Sequence, residues 1–483
     1  MRSRYYRVST GLFALALISF AACSDKPENE SRKFIAYSWS QVADDYSNII
    51  PFYWLKFSDA ENMQALVTDA VKATQAMPQG HRVLFSWDIH RSMSFQNNGD
   101  FLYAENGDVA GCNNEHGFRP YRSLWWDKGV DRVRQFFTEF FTFYREAGGE
   151  LDVFVLDFEQ GFSYWHLLDL VEKNYPCGLD HYLDAIQNDS RFSEIKDAVA
   201  IEDLKSIKLW FENEDHLKWS AFTWAHLARY INSAIYQPLK EYYPNAELSN
   251  YGYYYQSSEL DFPDIHGTNT HRYTDGIHVG THQSREIYGW MNLPSGTLLE
   301  GIEYSTTPFN AFRFALNKLR AMLLSSPVPV SPWVAYKGFS NSHLKDNDFY
   351  QELIFHMLLS GIDYLLYWNP AQQVDYSKDD DLLLNQLIDQ VNAFISDRKP
   401  SYMTDGLVSW LDDIVITKTQ FAQDIELWRV SANIGINEHI NDMIIQANPA
   451  KIKINGSVYE FDSMKVWDES DSLSDKGLWL ISN

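Results

Sequence analysis

Seven largely apolar runs recur between residues 33 and 368, separated by amphipathic segments. They are KFIAYSW (33–39), RVLFSWD (82–88), DVFVLDFE (152–159), AELSNYGYYY (246–255), LLEGIEY (298–304), PVSPWVAY (329–336) and IDYLLYW (362–368). Runs that stay apolar at successive positions suit parallel strands covered on both faces. The segments between them carry helical spacing. Val130, Val133, Phe136, Phe137, Phe140, Phe141 and Tyr144 recur at steps of three and four, and Gly148-Gly149 ends that stretch. Residues 219–239 repeat the pattern with Trp219, Phe222, Trp224, Leu227, Ile231 and Ile235. Thr307 and Pro308 read as cap and first-turn proline of a helix over 307–324, and a further helix over 346–359 stops at Ser360-Gly361. This alternation predicts an α/β fold, a (β/α)8 TIM-like barrel spanning 34–400. A doubly wound sheet is the alternative, but no Gly-rich phosphate loop follows an early strand.

Beyond Pro400 the texture changes to short β-like runs, with Asn455-Gly456 as a hairpin turn between two of them. Residues 401–483 are expected to form a small C-terminal antiparallel β domain. The acidic stretch DYSKDDD (375–381) reads as a solvated loop rather than a metal site.

The N-terminus reads as an export signal. Arg2, Arg4 and Arg7 precede the apolar stretch 11–22, which is too short for a stable bilayer anchor. It ends in FAAC, so residues 1–22 are expected to be a lipoprotein signal peptide. Cys23 is then the lipidated residue, and 23–33 a polar tether. Phe20 stands where leucine is usual, and ordinary secretion with cleavage nearby is the alternative. The chain is expected to be an exported bacterial lipoprotein, at the outer membrane, periplasm or cell surface. Cys112 and Cys177 are the other two cysteines; in an oxidising compartment they form one disulfide or remain buried thiols. Formal net charge is −25, and losing three arginines with the signal makes it more negative. That excludes nucleic acid as a general partner. The 16 Trp and 29 Tyr supply either a large aromatic core or surfaces that stack on flat ligands such as sugar rings.

The run at 152–159 ends in Asp157-Phe158-Glu159. Barrel enzymes carry their chemistry at the C-terminal ends of strands. Residues two apart on a strand share a face, so both carboxylates can address one pocket. Cleaving a glycosidic bond needs a carboxylic acid that keeps its proton until the leaving oxygen takes it. A second carboxylate and aromatic walls both raise that pKa, and Phe158, Phe162, Tyr164 and Trp165 follow directly. The bland alternative is a structural pair bonded to backbone at the barrel mouth.

The segment VFVLDFEQGFSYW resembles the D-[FW]-E stretch of hyaluronidases, the family 56 glycoside hydrolases. Other features agree in order. FIAYSW is similar to that family's first strand, GDFLYAENGDVAG lies where the family has a short β excursion, and YYPNAELSNYGYYY resembles its Trp-Gly-Tyr-Tyr segment, with Tyr251 in the Trp place. FYQELIFHMLLSGIDYLLYW is similar to its last helix and strand. The likeness spans roughly 34–370. It implies substrate-assisted retaining cleavage, with Glu159 as general acid, Asp157 orienting the substrate acetamido group, and Tyr254 supporting the oxazolinium-like intermediate. Tyr304 and Trp368 take the places of further pocket aromatics. The sequence departs from the family in lacking its framework cysteines, in carrying Asn369 where a Gly follows the Trp, and in an acidity ill-suited to polyanionic hyaluronan.

Other candidates remain open. Glu303, near the end of LLEGIEY, is a nucleophile for an ordinary double displacement if its carboxyl lies roughly 5 Å from that of Glu159. Asp88, His90 and Arg91 close the second run and, with Trp165, Tyr253, Tyr304, Trp333 and Trp368, are the candidate substrate-binding set. His266, His271, His278 and His282 are dense, but no HExxH or other zinc spacing accompanies them, so they read as a polar loop over the barrel mouth. No metal and no cofactor is expected. The reading is a glycoside hydrolase acting on a polysaccharide or its oligosaccharides. A non-catalytic glycan-binding lipoprotein and a metal-dependent hydrolase using the histidine stretch are the alternatives.

Overall fold

The computed structural model describes residues 33–42, 46–55, 62–86, 127–157, 231–251, 280–282, 284, 287, 298–299, 302–303, 307–326, 328–339, 344, 348–373, 375–398, 407–411, 414–422, 425–433, 450–454, 457–461, 464–466 and 476–482. Strands β1 (Ala36–Ser38), β2 (Ile49–Pro51), β3 (Tyr53–Leu55), β4 (Val83–Ser86), β5 (Val153–Asp157) and β6 (Glu247–Tyr251) come first. A short hairpin, β7 (Leu298–Leu299) and β8 (Ile302–Glu303), precedes β9 (Trp333–Ala335) and β10 (Leu365–Trp368). Two four-stranded parallel sheets result, ordered β2-β1-β10-β9 and β3-β4-β5-β6. Phe52 lies between β2 and β3 and donates its N–H to Ser38 O at 2.9 Å.

Helices α1 (Met63–Gln75), α2 (Asp127–Glu146), a π turn (Asn232–Tyr236) running into α3 (Gln237–Tyr242), α4 (Pro308–Ser325) and α5 (Phe349–Leu359) each precede a strand of these sheets, and α6 (Lys378–Arg398) follows β10. The apolar period of α2 has its expected consequence. Val133, Phe137, Phe140, Phe141 and Tyr144 are buried, each ring contributing roughly 1.5–3 kcal/mol of transfer free energy. Tyr144 OH lies 2.5 Å from Thr74 Oγ1 of α1 and donates to Glu150 O at 2.9 Å, so α1, α2 and the approach to β5 are stitched together.

Two corrections concern the strands. LLEGIEY is not a stave of the parallel sheets; it folds back with Leu298 opposite Glu303 and Leu299 opposite Ile302. A Gly at its centre is turn chemistry that a purely apolar reading overlooks. The chain reaches that part of the sheet earlier instead. Thr281 and His282 N–H groups donate to Leu248 O of β6 (3.0 and 3.2 Å), and Ile287 N–H donates to Trp333 O of β9 (2.7 Å). Gly280 permits this approach, because a Cβ there would sit 2.5 Å from Leu248 O, and its φ is +73°. The strands at 49–55 and helix α1 were absent from the expected set. Pro51 hides the former, since proline inside an apolar run reads as a strand breaker.

The strands alternate between two cores. Ile35, Tyr37, Ile50, Phe52, Val83, Phe85, Val153, Val155, Trp333 and Leu366 form one cluster, although they come from both sheets. Phe34, Ala36, Ile49, Val334, Leu365 and Tyr367 face α4, α5 and α6 in the other. Among the described helices, none is long and apolar enough to cross a membrane.

The C-terminal part is antiparallel, as expected. Strands β11 (Leu407–Leu411), β12 (Ile414–Ala422) and β13 (Ile425–Ala432) precede the hairpin β14 (Ala450–Ile454) and β15 (Ser457–Phe461), then β16 (Met464–Val466) and β17 (Gly477–Ser482). The main sheet is ordered β11-β12-β13-β17-β16. Ile454 pairs with Ser457; the predicted turn residues Asn455 and Gly456 fall outside the described residues. This sheet packs on α5. Arg429 of β13 holds the Glu352 carboxylate through Nε (2.7 Å) and Nη2 (2.5 Å), and both residues are buried. The guanidinium lies over the rings of Phe355 (4.5 Å) and Trp479 (4.9 Å).

Candidate active site

Strand β5 turns its alternate residues to opposite sides. Phe154 meets Phe137 and Phe141 of α2 at 5.9 and 5.6 Å, while Val153 and Val155 belong to the inner cluster. Asp157 is the last residue of the strand. Its register partner is Tyr251, the last residue of β6. Asp157 and Tyr251, the first residues of the D-F-E and Y-G-Y-Y segments that carry the sequence resemblance, therefore end neighbouring strands at the C-terminal edge; the residues after them fall outside the described set.

Aromatic rings gather at the same edge. Trp39 follows β1, Trp54 lies in β3 and Trp368 closes β10; all three are half-buried on the inner cluster. Trp39 and Trp54 meet edge to face at 4.4 Å, and the Trp54 indole N–H donates to Trp39 O at 2.7 Å. Trp368 packs edge-on to Phe339 at 4.8 Å and tilts against Tyr336 at 5.8 Å. Trp333 differs. It is wholly buried between Phe52 and Phe85, with centroids 5.9 and 6.3 Å away. The expectation that Trp333 faces substrate is corrected: it sits at the first position of β9, deep in the interior, and packs the core.

Polar groups around β10 were misread. Asp380 and Asp381 are buried and lie in the first turn of α6, not in a solvated loop. Asp381 accepts from Tyr376 OH at 2.5 Å and from Asn369 Nδ2 at 3.3 Å. Asn369 Oδ1 in turn accepts the Ser40 N–H at 2.8 Å, which ties the end of β10 to the end of β1. Burial raises the Asp381 carboxyl above its ordinary pKa, and the hydrogen bonds from Tyr376 and Asn369 pull it partly back. Burial likewise raises Asp380. Tyr336 OH donates to Asp375 Oδ1 at 2.7 Å, and burial followed by that carboxylate pushes its phenol up. Three consecutive aspartates suggest solvent, yet acidic residues also favour the first turn of a helix, and only packing shows which face each takes.

Of the sequence-derived candidates, Asp157 and Trp368 stand at the C-terminal edge, and Glu303 lies on the β7–β8 hairpin. Glu159, Asp88, His90, Arg91, Trp165, Tyr253, Tyr254 and Tyr304 fall outside the described residues, as do Cys23, Cys112 and Cys177. His282 does not overlie the mouth. It lies beside Glu247 and Asp363, at the opposite, N-terminal edge of the strands. Its three histidine companions are outside the described residues. Sequence reasoning did not place Trp54, Asn369 or Asp381 at this edge. An aromatic near the end of the run IIPFYWL was the available signal for the first; Asn369 stood out only as a departure from the resembled family, and Asp381 only within an acidic stretch.

No protein-family model matches this chain, and no curated protein sequence does. Among solved structures, bee venom hyaluronidase is similar at 16% identity over 54% of this chain and 78% of that one, with a TM-score of 0.25. The same enzyme in complex with a hyaluronic acid tetramer aligns over 71% of this chain and 97% of that one, at 14% identity and TM-score 0.29. Alpha-galactosidase I from Mortierella vinacea aligns over 94% and 97%, at 9% identity and TM-score 0.34.

Proposed function

We propose that this protein is a glycoside hydrolase with Glu159 as general acid, acting on a polysaccharide or its oligosaccharides. The supporting observation is the pairing of Asp157 with Tyr251. It sets the first residues of the D-F-E and Y-G-Y-Y segments side by side at the C-terminal edge of parallel strands, where α/β barrels build their active sites. We propose further that the strands form a closed eight-stave barrel. The hydrogen bonds of Thr281, His282 and Ile287 to Leu248 and Trp333 support closure, as does the single inner cluster drawn from both sheets.

In this reading Glu159 gives its proton to the glycosidic oxygen as the bond to the anomeric carbon breaks. The substrate's acetamido oxygen, oriented by Asp157, closes on that carbon. Tyr254 supports the cyclic intermediate. Water then opens it and returns a proton to Glu159. Trp39, Trp54 and Trp368 offer rings for sugar stacking. Asp88, His90, Arg91, Trp165, Tyr253 and Tyr304 belong to the same proposed mouth. Lipidated Cys23 would hold the enzyme on a membrane.

The test is residues 24–483, wild type and Glu159→Gln, against neutral, N-acetylated, uronic and sulfated polysaccharides, reading new reducing ends. Cleavage of one class by wild type, with a loss of roughly a hundredfold in Glu159→Gln, is the expected result. Cleavage confined to N-acetylhexosamine glycans supports assistance by the substrate. Cleavage of glycans lacking an acetamido group overturns that mechanism and turns attention to Glu303. Equal binding of a glycan by both proteins with no cleavage replaces the enzyme by a glycan-binding protein.

A further inference from the structure

Three ligand-type side chains converge at the N-terminal edge of the parallel strands, away from the edge that holds Asp157. Glu247 opens β6, Asp363 lies two residues before β10, and His282 sits on the segment hydrogen-bonded to β6. His282 Nε2 is 2.9 Å from Asp363 Oδ2 and 3.5 Å from Glu247 Oε2. All three ligand atoms lie within 4.8 Å of one another. The imidazole is 3% exposed, while the carboxylates are partly open to solvent, which leaves a side from which an ion can enter.

Zinc held tetrahedrally at about 2.0–2.1 Å puts its ligand atoms roughly 3.3 Å apart. The two separations measured from Nε2 bracket that value. One N–H on Nε2 points along one direction and cannot align with two carboxylates at once, whereas one cation can accept from all three. The other ring nitrogen is already placed for such a role. Nδ1 lies 2.9 Å from Thr281 Oγ1, which also takes the Leu248 N–H at 2.8 Å and has Leu248 O at 3.4 Å as an acceptor. A proton on Nδ1 donated to Thr281 leaves the Nε2 lone pair for a metal, which is the outer-shell arrangement that orients metal-binding histidines.

We infer that Glu247, His282 and Asp363 bind one divalent transition-metal ion, zinc by ligand chemistry, as a structural clamp across the N-terminal edge. The ion joins β6, the 280–287 segment and the approach to β10. Among the described residues, the N–H groups of Thr281, His282 and Ile287 tie this segment to β6 and β9, and a clamp beside them would stabilise the proposed ring closure. Two carboxylates and one neutral imidazole balance a doubly charged ion, and further positions would be filled by water. The site is separate from the proposed sugar chemistry.

The test uses residues 24–483, stripped with chelator and titrated with Zn²⁺ and with Co²⁺ as a visible probe. Wild type should hold about one ion per chain, show the absorption of Co²⁺ bound to nitrogen and oxygen, and melt at higher temperature with Zn²⁺ than with chelator. His282→Gln and Glu247→Gln should each lower affinity tenfold or more and abolish the metal-dependent melting shift. Glu247 is partly exposed, so its variant decides the matter if His282→Gln fails to fold. Undiminished ion binding in Glu247→Gln, or a wild type that holds no ion after Zn²⁺ exposure, overturns the inference. Either outcome leaves the Glu159 comparison unaffected, so the two proposals fail independently.

Discussion

The C-terminal edge of the parallel strands and the seam between α5 and the C-terminal sheet both bury charge, but they neutralise it differently. At the seam, Glu352 is gripped by both Nε and Nη2 of Arg429 and also accepts from Ser431 Oγ at 2.5 Å. His356 completes the set, 2.6 Å from Thr417 Oγ1 and 2.8 Å from Ser431 Oγ. Ser431 has one proton and gives it to Glu352, so it receives the Nε2–H of a neutral His356 while Nδ1 takes the Thr417 proton. At the C-terminal edge, Asp381 meets a phenol and an amide and carries a raised pKa. A fully paired cluster locks two parts of the chain together. A carboxylate supported by neutral donors keeps its proton within easier reach.

The contrast predicts where damage shows. Arg429→Ala leaves Glu352 buried without its bidentate partner and should cost about 3–5 kcal/mol in urea unfolding. Folded molecules should retain normal specific activity. A loss under 1 kcal/mol would show that the seam does not lock the sheet to α5. On the proposed function, Glu159→Gln should act on turnover instead, with a loss of roughly a hundredfold, or about 2.7 kcal/mol of barrier. Gly477→Ala probes the seam more gently. An added Cβ would fall on the Glu352 carboxylate and on Arg429 Nη2, so a loss of about 1–3 kcal/mol is expected from forced repacking; no change in denaturation midpoint would mean that the pair yields easily.

Acidity gives the smallest effects and the sharpest contrast, because the two regions should respond with opposite sign. Burial, then Arg429, lowers the His356 pKa well below its ordinary 6.5. The unfolded chain therefore binds a proton that the folded one refuses, and His356 removes stability as pH falls below 6.5. Asp381 is raised from its ordinary 3.8. The folded chain keeps that proton to higher pH, so stability declines as pH rises from about 4 through the raised value. Unfolding free energies from pH 4 to 8 should lose their acid-side fall in His356→Gln and their loss on raising pH in Asp381→Asn. Parallel curves for wild type and both variants would remove the distinction.

How much was legible depends on the range of the interaction. Strands β1, β4, β5, β9 and β10 were readable because burial on both faces writes a largely apolar run; β6, Glu247–Tyr251, is polar at three of its five positions and stood out only within the longer aromatic run that follows it. Helices α2 and α4 were readable because burial weighted to one side writes a period of three to four residues; α5, buried on every side, was readable from its apolar length and the Ser360-Gly361 stop. The Asp157–Tyr251 neighbourhood was half readable: each segment stood out by itself, but their register is a backbone pairing between residues 94 positions apart in number. Trp333 failed for the opposite reason. A tryptophan in a strand looks the same in sequence whether it lines a mouth or fills a core, and its position along β9 decides.

The sequence alone determined the α/β alternation, the change to antiparallel strands after residue 400, and the D-F-E segment at a strand end, because periodicity and local composition encode them. Only the tertiary structure decided that Thr281, His282 and Ile287, rather than the LLEGIEY run, bond to β6 and β9. It alone set Asp381 in the interior, joined Glu352 to Arg429, and gathered Glu247, His282 and Asp363 at one edge. Those outcomes rest on contacts between residues far apart in the chain, where the cost of burying a charge is offset by partners that no local pattern announces.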